Sequence, residues 1–320
     1  MTMPRLKRPG KGLLKLVISG ALLGVLVTQI DIAGAFAVVA EARWVGCLTA
    51  LGLFILGIFV RAYRWKVLVK ALHMRVSFGQ LTGLYFVGSF FSTVLPTGIG
   101  GDAVRAAELA RHTGRVGESL GTVVTDRFLG IIVLLAIGDA ALLLDRSSVD
   151  PRLTWTVAVL FTAGIAGFGL LRSKALMLRF SRLIPRSLHE VIKAPLMDLY
   201  ESFQAYPPGA LSHALAASLV FNVIWIGVNL LLGWSLAIEA TLYHYLVFVP
   251  LVSLSLLLPS VGGLGVRELT YVGLFGLVGV AEEKAFALGL LVYAIHVAMG
   301  LIGGIIYLIQ GAREYKPTGR

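Results

Sequence analysis

The chain has 320 residues, 57% of them hydrophobic and 14% charged, with a mean hydropathy of +0.86. Soluble domains run to roughly 45–50% apolar and about 25% charged residues, so an ordinary soluble enzyme is excluded and an all-α polytopic membrane protein is indicated. The formal charge of +11 gathers at the ends of apolar runs, which reads as membrane topology and lipid contact and not as nucleic-acid binding.

A hydrocarbon layer of roughly 30 Å needs about 20 apolar helical residues. Six runs meet that length: 12–30, 42–62, 119–144, 153–171, 210–238 and 285–311. The first lacks an Ala-x-Ala-like end and is followed by Asp31, so a mature helix is expected and not a signal peptide. Trp44 and Trp65 bracket the second run as an aromatic belt, with Arg61, Arg64 and Trp65 read as interface anchors or headgroup contacts. Two further runs, 80–96 and 242–259, do not fit a crossing. Each is followed at once by Pro and Gly, in Pro96-Thr97-Gly98-Ile99-Gly100-Gly101 and in Pro259-Ser260-Val261-Gly262-Gly263, and then by a second helical stretch. Re-entrant helical hairpins are expected over 80–111 and 242–280, with Pro96 and Pro259 at the breaks.

Residues 153–206 are expected to hold a connecting span and an interfacial helix. In the latter, Leu176, Phe180, Leu183 and Ile184 follow helical spacing between Arg179, Arg182 and Arg186. Trp225, Asn222 and Asn229 are read as packing residues within a span. The basic residues of 5–15, 61–75, 105–115, 172–193 and 313–320 fall on one side, which is assigned to the cytoplasm. This tally holds only if both hairpins return to the side they left, and it places both termini in the cytoplasm of a multi-pass plasma-membrane protein.

The two breaks repeat one another. Gly100-Gly101-Asp102-Ala103-Val104-Arg105 aligns with Gly262-Gly263-Leu264-Gly265-Val266-Arg267, and Leu-Pro precedes both. Span, hairpin and span run from 42 to 144 and again from 210 to 311, with an odd number of crossings between them. The fold expected is therefore a single membrane domain over 1–320, with about six transmembrane helices and two re-entrant hairpins in an inverted-topology repeat. Paired Gly/Pro-interrupted segments in two such halves point to a transporter's binding site.

A break at membrane depth is tolerated only beside protein or a water-filled cavity. The helix that follows it presents free N–H groups to an anion, and an arginine one turn in can pair with phosphate. On this argument Gly100, Gly101, Asp102 and Arg105 of the first break, and Gly262, Gly263, Arg267 and Glu268 of the second, are candidate ligands for a lipid phosphate or headgroup. Asp126 and Arg127 join them because charge buried in a bilayer demands compensation. His296 is a weaker candidate; a lone membrane histidine more often makes one interhelical hydrogen bond. The single cysteine, Cys47, excludes an intramolecular disulfide and a Cys-based zinc site, and six scattered histidines have no metal-ligand spacing. No catalytic grouping, metal site or cofactor is expected.

These residues carry a resemblance. Arg61-Ala-Tyr-Arg64-Trp65, Phe90-Phe91-Ser92-Thr93-Val94-Leu95-Pro96 leading to Gly100–Arg105, Asp126-Arg127, and Pro259 through Glu268 resemble the transmembrane region of lysylphosphatidylglycerol synthases, the flippase-like or multiple peptide resistance factor family. Full-length members carry a cytoplasmic domain that aminoacylates phosphatidylglycerol, while the membrane part is proposed to move the product between leaflets. After the last span only about nine residues remain here, so the resemblance implies a stand-alone member without the synthase domain. The expectation is a transporter, and not an enzyme, moving a phospholipid such as aminoacylated phosphatidylglycerol, or a lipid-linked phosphate, between leaflets. Two alternatives stay open: a membrane-embedded lipid-phosphate transferase with Asp102 or Asp126 as base, and a non-transporting partner of a separately encoded cytoplasmic synthase. Membrane lipids are the expected partners, a homodimer is left open, and no nucleic acid is expected.

Overall fold

Long apolar stretches satisfy their backbone only as helix when water is absent, and helix is what this chain forms. The computed structural model describes residues 32–95, 100–144, 151–183, 200–201, 203–258, 260 and 262–314. The expected helix at 12–30, the break residues Pro96 and Pro259, and Arg186 with most of the link after it lie outside these. So do the side chains of Phe180 and Leu183.

Among the described residues eleven helices follow in order: α1 (Ile32–Ala40), α2 (Trp44–Ala71), α3 (Phe78–Val94), α4 (Gly100–Thr113), α5 (Val116–Leu144), α6 (Pro151–Arg172), α7 (Lys174–Leu183), α8 (Pro208–Ser235), α9 (Leu242–Ser255), α10 (Val266–Gly276) and α11 (Glu282–Glu314). Four of them, α2, α5, α8 and α11, are long and apolar enough to cross a membrane. Their outer faces carry apolar side chains: Val45 is 75% exposed, Leu48 66% and Leu308 72%. On a soluble protein such a surface would be a large apolar patch; here it is the face for lipid. The chain is an all-α polytopic membrane protein.

Helix α2 runs nine residues past the expected end at 62. Arg61 and Arg64 turn inward on it, so they do not mark a membrane boundary. Ser77 then caps α3 in a reciprocal box, with Gln80 N donating to Ser77 Oγ at 3.2 Å and Ser77 N donating to Gln80 Oε1 at 2.9 Å.

Helices α3 and α4 fold back on one another, and the hairpin they form begins and ends beside the C-terminus of α2. Leu72 ends α2, and Arg115, just before α5, donates to the Leu72 carbonyl at 2.8 Å. The second half has the same closure. Leu236 ends α8, and Lys284 in the first turn of α11 donates to the Ala237 carbonyl at 2.8 Å. The residues following the two helix ends, His73 and Ala237, are the two non-glycine residues with positive φ among the described residues, at +57° and +49°. Such left-handed residues terminate helices, usually as glycine.

Packing between the halves follows the same exchange. Helix α2 lies along α8, while α3 packs on α11 and α9 packs on α5. Gly303 of α11 makes this approach possible: a Cβ there would stand 1.8 Å from the Phe86 carbonyl oxygen of α3. Within the second hairpin, Tyr245 and Phe248 near the start of α9 meet Phe275 at the end of α10, each pair with ring centroids 5.2 Å apart. Helix α6 packs on α5, and α7 follows it with Met177 buried and Leu176 about half exposed.

Candidate functional site

A cavity of about 290 Å³ is lined by residues of α2, α3, α4, α5, α8, α9, α10 and α11 together with the second break. That volume is at the low end of small-molecule sites. Five arginines face it: Arg61, Arg64, Arg105, Arg127 and Arg267.

The first half builds a charge cluster. Asp126 of α5, 1% exposed, accepts from Arg64 Nε at 2.6 Å, from Arg105 Nη2 at 3.2 Å and from the Tyr85 hydroxyl. Arg64 also donates to Ser218 Oγ at 2.9 Å. Asp102 bridges Arg105 and Arg127, accepting from Arg105 Nη1 at 3.2 Å and from Arg127. The Arg105 guanidinium lies over Tyr85 at 3.7 Å and Trp65 at 4.4 Å, and Trp65 Nε1 donates to Thr122 Oγ1 at 3.0 Å. Buried charges are held only when paired and hydrogen-bonded in this way.

The second half is arranged otherwise. Gly262, Gly263 and Gly265 have φ of +59°, +84° and +81°, so the break is a run of left-handed turns. Arg267, 2% exposed, donates Nη2 to the Gly262 carbonyl at 3.0 Å and lies 5.3 Å from the Tyr293 ring. Its Nε and Nη1 have no partner among the described residues.

Several sequence expectations change here. Trp65 is fully buried and Arg64 is 2% exposed, so neither anchors an interface; Arg64 lines the cavity and Trp65 stands behind it. Arg61 stacks 5.0 Å from both Tyr85 and Phe221 and lines the cavity as well. Asp126 stands behind the arginines as their counter-ion and is not a lining residue. Glu268 is also absent from the lining: its Oε2 accepts from Gly265 N at 2.7 Å, capping its own helix. Gly100 is buried within α4 and likewise does not line the cavity. Gly101, Asp102, Arg105, Arg127, Gly262, Gly263, Arg267 and His296 do line it. His296 Nδ1 donates to the Val292 carbonyl at 2.8 Å, and its ring packs between Phe54 and Trp225, at 5.2 and 5.5 Å.

The sequence reading missed Tyr85 and the lining residues Asn222 and Tyr293. A signal for the first was present: Tyr85, Ser89 and Ser92 stand at i, i+4 and i+7 on an otherwise apolar helix, and all three line the cavity. Asn222 donates to the Gly130 carbonyl at 3.0 Å, and Asn229 accepts from Tyr271 while donating to the Trp225 carbonyl at 2.9 Å. Among the described residues no group of three or more His, Cys, Asp or Glu side chains could hold a metal ion.

Against curated proteins the chain finds no match. The family model described as the lysylphosphatidylglycerol synthase TM region matches residues 12–304, which takes in both hairpins, the arginine cluster and the cavity. A match over that much of the chain makes it a member of the lysylphosphatidylglycerol synthase transmembrane-region family.

Proposed function

We propose that this protein carries a phosphate-bearing lipid between the leaflets of the plasma membrane, with the headgroup passing through the arginine-lined cavity. The observation that carries the reading is the convergence of two helix pairs, one from each half, on one polar space inside an apolar bundle. An inverted repeat with both termini in the cytoplasm would let that space open alternately to the two sides. The glycines keep backbone close to the cavity, the arginines supply phosphate-directed donors, and the apolar helices accommodate acyl chains outside.

Lipid movement without covalent change is favoured over lipid-phosphate transfer by the state of the two carboxylates. Asp126 accepts from three donors and Asp102 from two arginines. Groups so engaged serve as fixed counter-ions; a general base needs an oxygen free to take a proton.

The test is reconstitution of the purified chain into vesicles carrying a trace of a fluorescent phospholipid in the inner leaflet, read by quencher access from outside. Faster loss of protected fluorescence than in protein-free vesicles, with the lipid recovered chemically unchanged, is expected. A new lipid product would favour the transferase instead. Rates equal to protein-free vesicles, over a panel of anionic and aminoacylated lipids, would remove the transport reading.

A further inference from the structure

The five arginines of the cavity divide into two groups. Arg64, Arg105 and Arg127 are paired with Asp126 and Asp102. Arg61 and Arg267 make no ion pair with a carboxylate among the described residues; Nε of Arg61, and Nε and Nη1 of Arg267, are buried without a partner there, as is Nε of the paired Arg105. They come from opposite halves, one on α2 and one on α10, and both face the same cavity. Glu268, next to Arg267 in the chain, directs Oε2 at the Gly265 N–H and makes no ion pair with either guanidinium among the described residues, but its charge acts on Arg267 as that of Asp126 acts on Arg61.

What holds these two arginines in place is aromatic. Arg61 lies between Tyr85 and Phe221, and Arg267 lies over Tyr293. A ring face fixes the guanidinium plane and leaves its N–H edge available, which is the edge that pairs with phosphate oxygens. Five arginines stand against three carboxylates, Asp102, Asp126 and Glu268, and the two positive charges left over, in a site walled by helices, call for two negative charges from a ligand. A phosphomonoester carries close to two at neutral pH, because its second pKa is about 6. A phosphodiester such as phosphatidylglycerol carries one, and a lysylated phosphatidylglycerol brings two ammonium groups with its single phosphate.

Resting on the lipid-transport reading above, we infer that Arg61 and Arg267 form a two-pronged receptor for a doubly charged lipid phosphate, a phosphomonoester or diphosphate headgroup, and that cationic aminoacylated headgroups are disfavoured. The chemistry is shared by phosphatidic acid and by isoprenoid monophosphates. Arg105, tied to two carboxylates, belongs to the frame of the site.

The test is competitive binding to the full chain in detergent, read by native mass spectrometry, with dioctanoyl phosphatidic acid, farnesyl phosphate, dioctanoyl phosphatidylglycerol, its lysyl ester and inorganic phosphate. At least one of the two monoester lipids is expected to bind about tenfold or more tighter than phosphatidylglycerol, the lysyl ester more weakly than either, and inorganic phosphate to compete poorly. Which monoester prevails identifies the apolar portion. Arg61→Gln and Arg267→Gln should each bring the monoester-to-diester ratio down to about three or less, while Arg267→Lys retains part of it. Phosphatidylglycerol or its lysyl ester binding as tightly as both monoesters would overturn the inference and leave lipid transport standing. Inorganic phosphate competing as well as the lipids would overturn it in favour of a soluble anion. Binding of none of the five would overturn both the inference and the transport reading. The ratio in the unmodified protein decides the matter even if a variant fails to fold.

Discussion

The two hairpins share Gly-Gly-x-x-Val-Arg and use it for different physical ends. In the first, Gly100 and Gly101 lie inside α4, and their value is closeness: a Cβ on Gly101 would stand 2.1 Å from both the Gly88 carbonyl oxygen and Ser92 Oγ. In the second, Gly262 and Gly263 are left-handed and their value is turning. The arginines diverge with them. Arg105 meets two carboxylates across a tight helix pair, whereas Arg267 sits on a looped break with one backbone carbonyl for a partner. What the halves hold in common is the frame, with its left-handed residues His73 and Ala237 and the basic ties of Arg115 and Lys284. What they do not share is charge compensation, and a cavity between such halves has one fixed wall and one wall whose cation is available.

The largest expected effect attacks the fixed wall. Asp126→Ala leaves Arg64, Arg105 and Tyr85 without their common acceptor, and breaking a buried pair from one side costs about 3–5 kcal/mol. Denaturant titration of the purified variant in detergent micelles should show that loss; a shift below about 1 kcal/mol would mean that the cluster does not hold the first half together.

The contrast also explains what the sequence made legible. Apolar length was enough to find the helices corresponding to α2, α5, α8 and α11, because a membrane helix needs little beyond it. The paired glycine motif pointed to Arg105 and Arg267, and both line one cavity. It could not separate closeness from turning, since glycine serves both. Charge misled the reading at Arg61 and Arg64: basic residues at the end of an apolar run normally mark the interface, yet here Asp126, Ser218, Tyr85 and Phe221 draw them inward and α2 continues to Ala71. The left-handed helix ends were illegible because histidine and alanine, not glycine, occupy them.

Substitutions that separate the two uses of glycine sharpen the comparison next. Gly101→Asn adds atoms where a helix backbone is in contact, and overpacking of this kind costs about 1–3 kcal/mol. Gly262→Asn places a residue tolerant of left-handed φ where a Cβ meets nothing nearer than 3.6 Å. The first variant should unfold at distinctly lower denaturant than the second in the same micelles; equal losses would show that the two breaks have the same requirement after all.

The smallest effect is expected at the available wall, and it is the most diagnostic. Arg105→Met removes a cation that Asp102 and Asp126 both use, and each of its two charged hydrogen bonds is worth roughly 1.5–3 kcal/mol, so about 3 kcal/mol or more of stability should go. Arg267→Met removes a cation that makes no ion pair among the described residues, with the Glu268 carboxylate an electrostatic neighbour only. Lost with it are one bond to the Gly262 carbonyl and the approach to Tyr293, but the cost of keeping an uncompensated charge away from water is relieved at the same time. These terms oppose one another, and the net change should lie within about 1 kcal/mol of the unmodified protein. Methionine keeps an unbranched apolar stem of similar reach, so packing along Tyr293 changes little in either direction. Measured side by side, equal destabilisation by the two substitutions would place Arg267 in the frame with Arg105, and the division of the cavity into a fixed and an available wall would be lost.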